Sequence, residues 1–318
     1  MTVFIRKQGL LTTVQDLGRH GMMSRGINPS GAMDRTTARL INILLGSSDD
    51  NGVLELHFPA GEIVFERESI FALGGADFSA ELNGVPIGNW RLQRAPKDSV
   101  LKFPEKRSGH RLYLGVAGGF DVPRLLGSVS TNLAAHFGGW SGRSLITGDR
   151  IPIKQSGHIF PNYRFRQIIS PSLIPRYSRF PTVRVIEGAE FHILTDESKS
   201  LFYSEDFVVT KNSNRMGYRL SGPELKRRSN VELISSGANF GTVQILPDGQ
   251  LVVLMADHQT SGGYPRVAHV IGPDLPLLAQ FGPNDKIAFH SVKVDDAEAI
   301  AATYEAELNL LRIACDYD

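Results

Sequence analysis

The sequence predicts a mainly β protein, built as two related β domains in tandem with a few short helices. Three observations predict it. Short Val-, Ile- and Phe-rich runs of strand length recur along the chain, punctuated by 32 glycines and 17 prolines. Helical periodicity is confined to a few stretches. Five landmarks occur twice, in the same order, once in each half. A chain of 318 residues has room for two domains at roughly 100–200 residues each.

Strands are expected at Val3–Arg6, Val53–Phe58, Ile63–Phe65, Ile70–Ala72, Val100–Phe103 and Leu112–Val116 in the first half. In the second half they are expected at Val183–Ile186, Phe207–Thr210, Val231–Ile234, Thr242–Ile245, Leu251–Met255, Val267–Ile271 and Ile287–Phe289. This strand density with Gly/Pro turns suits barrels or sandwiches. A first helix is predicted over Met33–Leu45, capped by Ser30 and stopped by Gly46, with Ala38, Leu40, Ile41, Leu44 and Leu45 on its apolar face. A short helix is predicted near Asp274–Gln280. The last runs from Asp295–Asp296 to about Ile313, with an acidic start and Ile300, Leu308 and Leu311 at helical spacing.

The repeated landmarks begin with G-x-x-x-S-G-[AP], at Gly26–Ala32 and Gly217–Pro223. Val53-Leu-Glu55-Leu56 then parallels Val231-Glu232-Leu233. An apolar run ending in Ala-Asp follows, at Ala76-Asp77 and Ala256-Asp257. Next come the turns Asn83-Gly84-Val85-Pro86 and Gly262-Gly263-Tyr264-Pro265. Pro96-Lys-Asp98 and Pro283-Asn-Asp285 close the series, each with a Phe shortly after. The expected division is a first β domain over 1–155, a linker over 156–182 and a second β domain with a C-terminal helix over 183–318.

Composition excludes several function classes. The formal net charge is +1, so no basic field is available to hold nucleic acid or acidic lipid. One cysteine, Cys315, excludes an intrachain disulfide framework and a CxxC metal site. No apolar run approaches the ~20 residues of a membrane span, and no secretory signal is visible. A soluble, cytoplasmic protein is expected. No GxGxxG, no Gly-Lys of a Walker A loop, no HxH or HExxH and no G-x-S-x-G elbow occurs, so no metal site is expected. There is no Met-Lys-Met biotin attachment signal. Any ATP or biotin chemistry would therefore use a partner's ATP site or a partner's biotin, with no covalently attached biotin here.

Three polar constellations are candidate sites. The first is Thr13-Val-Gln15-Asp16-Leu-Gly18-Arg19 with Ser30-Gly-Ala-Met-Asp34. It reads either as an anion-binding loop before a helix or as a structural turn with a local Asp16–Arg19 pair. The second is Gly127-Ser128-Val-Ser130-Thr131 with Gly138-Gly-Trp-Ser-Gly-Arg143. It suits a carboxylate or phosphate, Arg143 offering a bidentate fork, and reads otherwise as a surface loop. The third is Asn212–Leu220 with Gln244 and Asp257-His258-Gln259-Thr260-Ser-Gly-Gly-Tyr264-Pro265. This last stretch follows an apolar strand, and strand ends are where sites are built on β scaffolds. His258 is suited to proton transfer near neutral pH, with Asp257 to orient it; an ordinary loop histidine is the other reading.

The motifs of these constellations, with Gly118-Gly-Phe-Asp-Val-Pro123, carry a resemblance that covers Val3 to Phe289. The chain resembles the KipA / 5-oxoprolinase C-subunit family, also described as allophanate hydrolase subunit 2-like and as a biotin-dependent carboxyltransferase family. The resemblance implies two tandem cyclophilin-like β-barrel domains. It implies a component of ATP-dependent 5-oxoprolinase, cleaving 5-oxoproline to glutamate together with the KipI-like B and the A subunits of that enzyme. ATP would be bound with or by a partner subunit. Two other readings follow from the same family. One is a carboxyltransferase using carboxybiotin supplied in trans, as in urea carboxylase. The other is a non-catalytic antagonist of a KipI-like kinase inhibitor.

The site is expected in a cleft between the barrels. Arg143 and Arg215 are expected on a carboxylate or phosphorylated intermediate. Asn214, Gln244, Gln259 and Thr260 are expected on the lactam, and Ser128, Gln15 and Asp16 on substrate. Asp257, Tyr264 and His258 are the candidate catalytic residues. The chain departs from the family pattern at Asn214, where Asp is expected, and at His258, where Arg is expected. The second change turns a fixed positive charge into a titrating one.

Overall fold

The computed structural model describes residues 2–154, 168–178, 180–229 and 233–316. Residues 156–167 and 179 of the expected linker therefore lie outside the described residues. The chain divides into two compact units. Unit 1 comprises Met1–Arg19, Ser30–Pro175 and Glu307–Asp318; unit 2 comprises His20–Pro29 and Arg176–Ala306.

Unit 1 holds two sheets. The six-stranded sheet runs Arg150–Pro152, Thr2–Lys7, Glu62–Phe65, Ser99–Lys102, Glu81–Leu82, Val85–Pro86. The five-stranded sheet runs Thr12–Gln15, Val53–His57, Ser108–Val116, Ser69–Asp77, Leu92–Ala95. Alternation sends Val3, Ile5, Ile63, Phe65 and Leu101 of the first and Val14, Leu54, Leu73, Leu112 and Leu114 of the second into one core. Phe65 stacks on Phe71 there at 4.8 Å between ring centroids.

Helix α1 (Arg35–Leu44) lies on the five-stranded sheet. Its close approach needs a strand position without a side chain. A Cβ on Gly115 would sit 2.4 Å from Ile41 Cγ2 and 2.9 Å from Leu45 Cδ1. The expected cap is corrected: Asp34, not Ser30, caps α1, its Oδ1 accepting from Thr37 N–H at 2.8 Å. A cap must directly precede the first helical residue. Ser30 is too far upstream, and its Oγ instead accepts from Asn132 Nδ2.

Unit 2 is a closed seven-stranded barrel in the order Thr182–Glu187, Arg266–Val270, Thr242–Ile245, Leu251–Leu254, Gly217–Ser221, Phe207–Val209, Lys286–Ser291. The parallel pairing Thr182↔Ala288 closes it. Val183, Phe207, Tyr218, Leu220, Val243, Val253, Ile287 and Phe289 are buried inward-facing positions of these alternating strands. Helix α2 (Asp196–Ser204) packs beside the closing strand, its Phe202 stacked on Phe289 at 4.7 Å. Helix α3 spans Leu275–Ala279 and α4 spans Val294–Asp316. No helix among the described residues is long and apolar enough to cross a membrane.

Some expectations shift. Helix α2 is an addition, and so are the strands Thr12–Gln15 and Gly217–Ser221, which were not among those expected. The strand expected at Val231–Ile234 lies partly outside the described residues, and Leu233 and Ile234 are in no strand. One landmark pair shares a turn, but one residue out of step with the sequence match, which set Asp98 against Asp285. Asp98 (φ 63°) donates its N–H to Phe65 O at 2.7 Å, and Asn284 (φ 73°) donates to Val209 O at 2.9 Å. Each turn then leads into a strand that pairs with the strand it has just touched. The Gly26–Ala32 and Gly217–Pro223 landmarks are not equivalent: the first contains no strand, and most of the second is one.

Candidate functional site

Unit 2 carries a cavity of about 230 Å³ on the outer face of its barrel. Alternation builds its floor. Because Tyr218, Leu220 and Val253 point inward, Gly217, Arg219, Val252 and Leu254 face outward, as does Gln244 one strand further on. Asn212, Asn214 and Met216 on one side and Gln259 and Tyr264 on the other complete the lining.

The Asn212–Met216 loop is held by Asn214, whose Oδ1 accepts from Met216 N–H at 2.7 Å. This is the local side-chain-to-backbone turn that Asn favours. On the far side, Gln244 is 1% exposed and donates from Nε2 to Tyr264 O at 3.3 Å. Tyr264 itself is 44% exposed.

Behind the cavity the two loops are tied together by a buried ion pair. Arg215 donates from Nε to Asp257 Oδ2 at 2.8 Å and from Nη2 to Oδ1 at 3.1 Å. Asp257 N–H also donates to Arg215 O at 2.8 Å. Asn28 then fixes the Asp257–His258 turn, donating from Nδ2 to Asp257 O at 2.9 Å and to His258 O at 3.1 Å. His258 is buried, with Nδ1 2.7 Å from Gln259 O. A carbonyl only accepts, so Nδ1 carries the proton.

The lining is rich in carboxamides: Asn212, Asn214, Gln244 and Gln259. Among the described residues it contains no carboxylate, and Arg219 is its one fixed charge. Such a surface offers donors and acceptors together, beside the apolar Leu246, Val252 and Leu254. Tyr264 is the lining residue able to exchange a proton.

The structure thus brings Asn214, Gln244, Gln259 and Tyr264 to one cavity. Arg215 and Asp257 lie beneath it as a pair, with His258 and Thr260 in the adjoining turn. The remaining candidates are in unit 1. Asp16 is 2% exposed and fully engaged. Its Oδ1 accepts from Gly18 N–H at 2.8 Å, Ser128 Oγ at 2.6 Å and Ser130 Oγ at 2.5 Å, and its Oδ2 from Val129 N–H at 2.7 Å. Gln15 donates to Thr13 Oγ1 at 3.0 Å and Thr131 O at 3.2 Å. Arg143 forks onto Asp149 at 2.7 and 2.8 Å, which holds the Asp149 carboxyl below its ordinary range. Asn212, Met216 and Arg219 belong to the third constellation but were expected to carry no role; the outward register and the flanking loop bring them to the cavity.

Comparison with known proteins decides the family. The carboxyltransferase domain, subdomain A and B, family matches residues 25–291. The chain belongs to this family. The matched region contains every cavity residue, together with Ser128 and Arg143, while Gln15 and Asp16 precede it. Among curated relatives, the chain is 39% identical to the 5-oxoprolinase C subunit of Escherichia coli over 92% of each chain. It is 34% identical to the 5-oxoprolinase C subunit of Haemophilus influenzae over 96% of each. Among solved structures, the K. lactis urea amidolyase superposes with a TM-score of 0.90 at 26% identity, covering 98% of this chain. The chain spans 20% of that longer one.

Proposed function

We propose that this chain is the C subunit of an ATP-dependent 5-oxoprolinase and supplies part of the surface on which 5-oxoproline is bound and opened to glutamate. One observation carries this reading: the identity to two bacterial 5-oxoprolinase C subunits runs along nearly the whole of both chains. The cavity chemistry supports it. A lactam presents one N–H and one C=O, and the carboxamides of Asn214, Gln244 and Gln259 can meet both. Tyr264 donates its proton to the lactam nitrogen as water adds at the carbonyl carbon and the C–N bond breaks, and regains a proton from that water, while the Arg215–Asp257 pair holds the two cavity loops in register.

The cavity does not fit ATP. Its lining has one cation, no lysine and no carboxylate to share a magnesium ion, and no glycine-rich turn leads from it into a helix. On this reading ATP is bound elsewhere, with or by a partner subunit. The KipI-like B and the A subunits complete the enzyme.

A second reading is favoured by the family description and the urea amidolyase superposition: a carboxyltransferase using carboxybiotin supplied in trans. It requires a biotinylated partner and bicarbonate. Gene deletion separates the two. On the first reading the deletion strain accumulates 5-oxoproline and cannot use it as sole nitrogen source, and the intact gene restores growth. Normal growth on 5-oxoproline without the gene contradicts that reading.

A further inference from the structure

The cavity also points to the part of the ligand that lies away from the lactam, on the reading that the lactam is bound there. We infer that Arg219 is the specificity-determining residue that recognises a carboxylate on the bound cyclic amide. The register places it. Arg219 is opposite Val252, and Val252 is in turn opposite Gln244. The three form one row across adjacent strands, each about 4.8 Å from the next. A cyclic amide lying along this row sets its ring methylenes over Val252 and its amide at Gln244, and turns a ring carboxylate toward Arg219.

The charge inventory selects the same residue. Arg215 is committed to Asp257 through two hydrogen bonds, and Arg143 to Asp149 through two more. The guanidinium of Arg219 makes no hydrogen bond or ion pair among the described residues. The described lining has no carboxylate to neutralise it, so these residues present a net positive charge to the ligand. A planar guanidinium matches a planar carboxylate in bidentate geometry, which a lysine cannot reproduce. The ligand class is therefore a small lactam carboxylic acid, not a neutral amide such as urea.

The test compares 5-oxoproline with its neutral analogue 5-oxoprolinamide, on the full chain by calorimetric titration and on the assembled three-subunit enzyme by steady-state kinetics. The unsubstituted chain is expected to prefer the acid. In Arg219→Gln, affinity for the acid falls roughly 10- to 150-fold, the weight of one charge-assisted hydrogen-bonding contact, and affinity for the amide stays within about twofold. Arg219→Lys retains the charge and falls between. Melting temperatures stay unchanged, because Arg219 is exposed and unpaired. An unsubstituted chain without preference for the acid, or an Arg219→Gln chain with undiminished preference, overturns the assignment. Absence of 5-oxoproline turnover in the assembled enzyme, with Arg219-dependent preference intact, contradicts the enzymatic reading and leaves Arg219 standing. Turnover with undiminished preference in Arg219→Gln does the reverse.

Discussion

Arg215→Met tests whether the Arg215–Asp257 pair is the structural tie beneath the cavity. The substitution keeps much of the side-chain volume and removes both hydrogen bonds to the carboxylate. The side chains are 7% and 4% exposed, so water cannot replace what is lost. Removing one partner of a buried pair costs about 3–5 kcal/mol, because the remaining charge stays buried without compensation. At roughly 2–4 °C per kcal/mol for a unit of this size, the barrel transition drops by roughly 6–20 °C. The assay is thermal unfolding followed by circular dichroism, at low and high salt. Since the pair is shielded from solvent, the loss is the same at both. The double variant Arg215→Met/Asp257→Leu recovers most of the stability, since paired apolar replacements leave no orphaned charge. A loss below about 1 kcal/mol in the single variant, the level of an exposed pair, refutes the reasoning.

Other outcomes follow from neighbouring geometry. Gly262→Ala places a Cβ 2.7 Å from Gln259 Nε2 and 3.2 Å from Gln244 Nε2, so it displaces two cavity carboxamides. It should raise KM for the ligand while shifting the melting temperature little; unchanged KM would place the ligand elsewhere. Asn28→Ala removes the donor shared by Asp257 O and His258 O and should cost about 1–3 kcal/mol, read from the urea midpoint; hydrogen exchange should speed up in residues 257–260. In unit 1, burial first, then the Glu55 and Asp34 charges, push the Tyr113 phenol well above its ordinary pKa. The unfolded chain therefore loses this proton first, so stability falls as pH rises above about 10, and Tyr113→Phe should flatten that alkaline limb. On the acid side, the hydrogen bond from Arg266 holds Glu190 below its ordinary pKa of 4.5. Stability from this pair is present above that value and fades as pH falls through the lower folded-state one, so Glu190→Gln should flatten the acid limb.

Strands were legible in the sequence where apolar residues were dense, as in Leu251–Leu254 and Thr182–Glu187, because burial on at least one face writes itself into composition. Helix α1 was legible from its apolar face. Helix α2 was not: its first turn, Asp196-Glu197-Ser198-Lys199, is polar, and the sign of its start is the Thr195 cap accepting from Ser198 N–H. The carboxamides of the site could be found because Asn214, Gln244 and Gln259 sit in unusual polar motifs. That Arg219 shares one row with Gln244 could not be read, because it depends on which residue lies opposite Val252, a fact of register set by long-range pairing. The commitment of Arg215 to Asp257, across 42 residues, was likewise invisible until the strands between them were placed.

The most direct test of the central claim is 5-oxoproline-dependent ATP hydrolysis, with glutamate measured alongside ADP. It is run with this chain alone, with the B subunit present, and with the A and B subunits together. Glutamate and ADP are expected only from the complete set, and are lost when this chain is omitted. Undiminished turnover from the other two subunits without this chain, or no turnover from any mixture despite stable assembly, would contradict it.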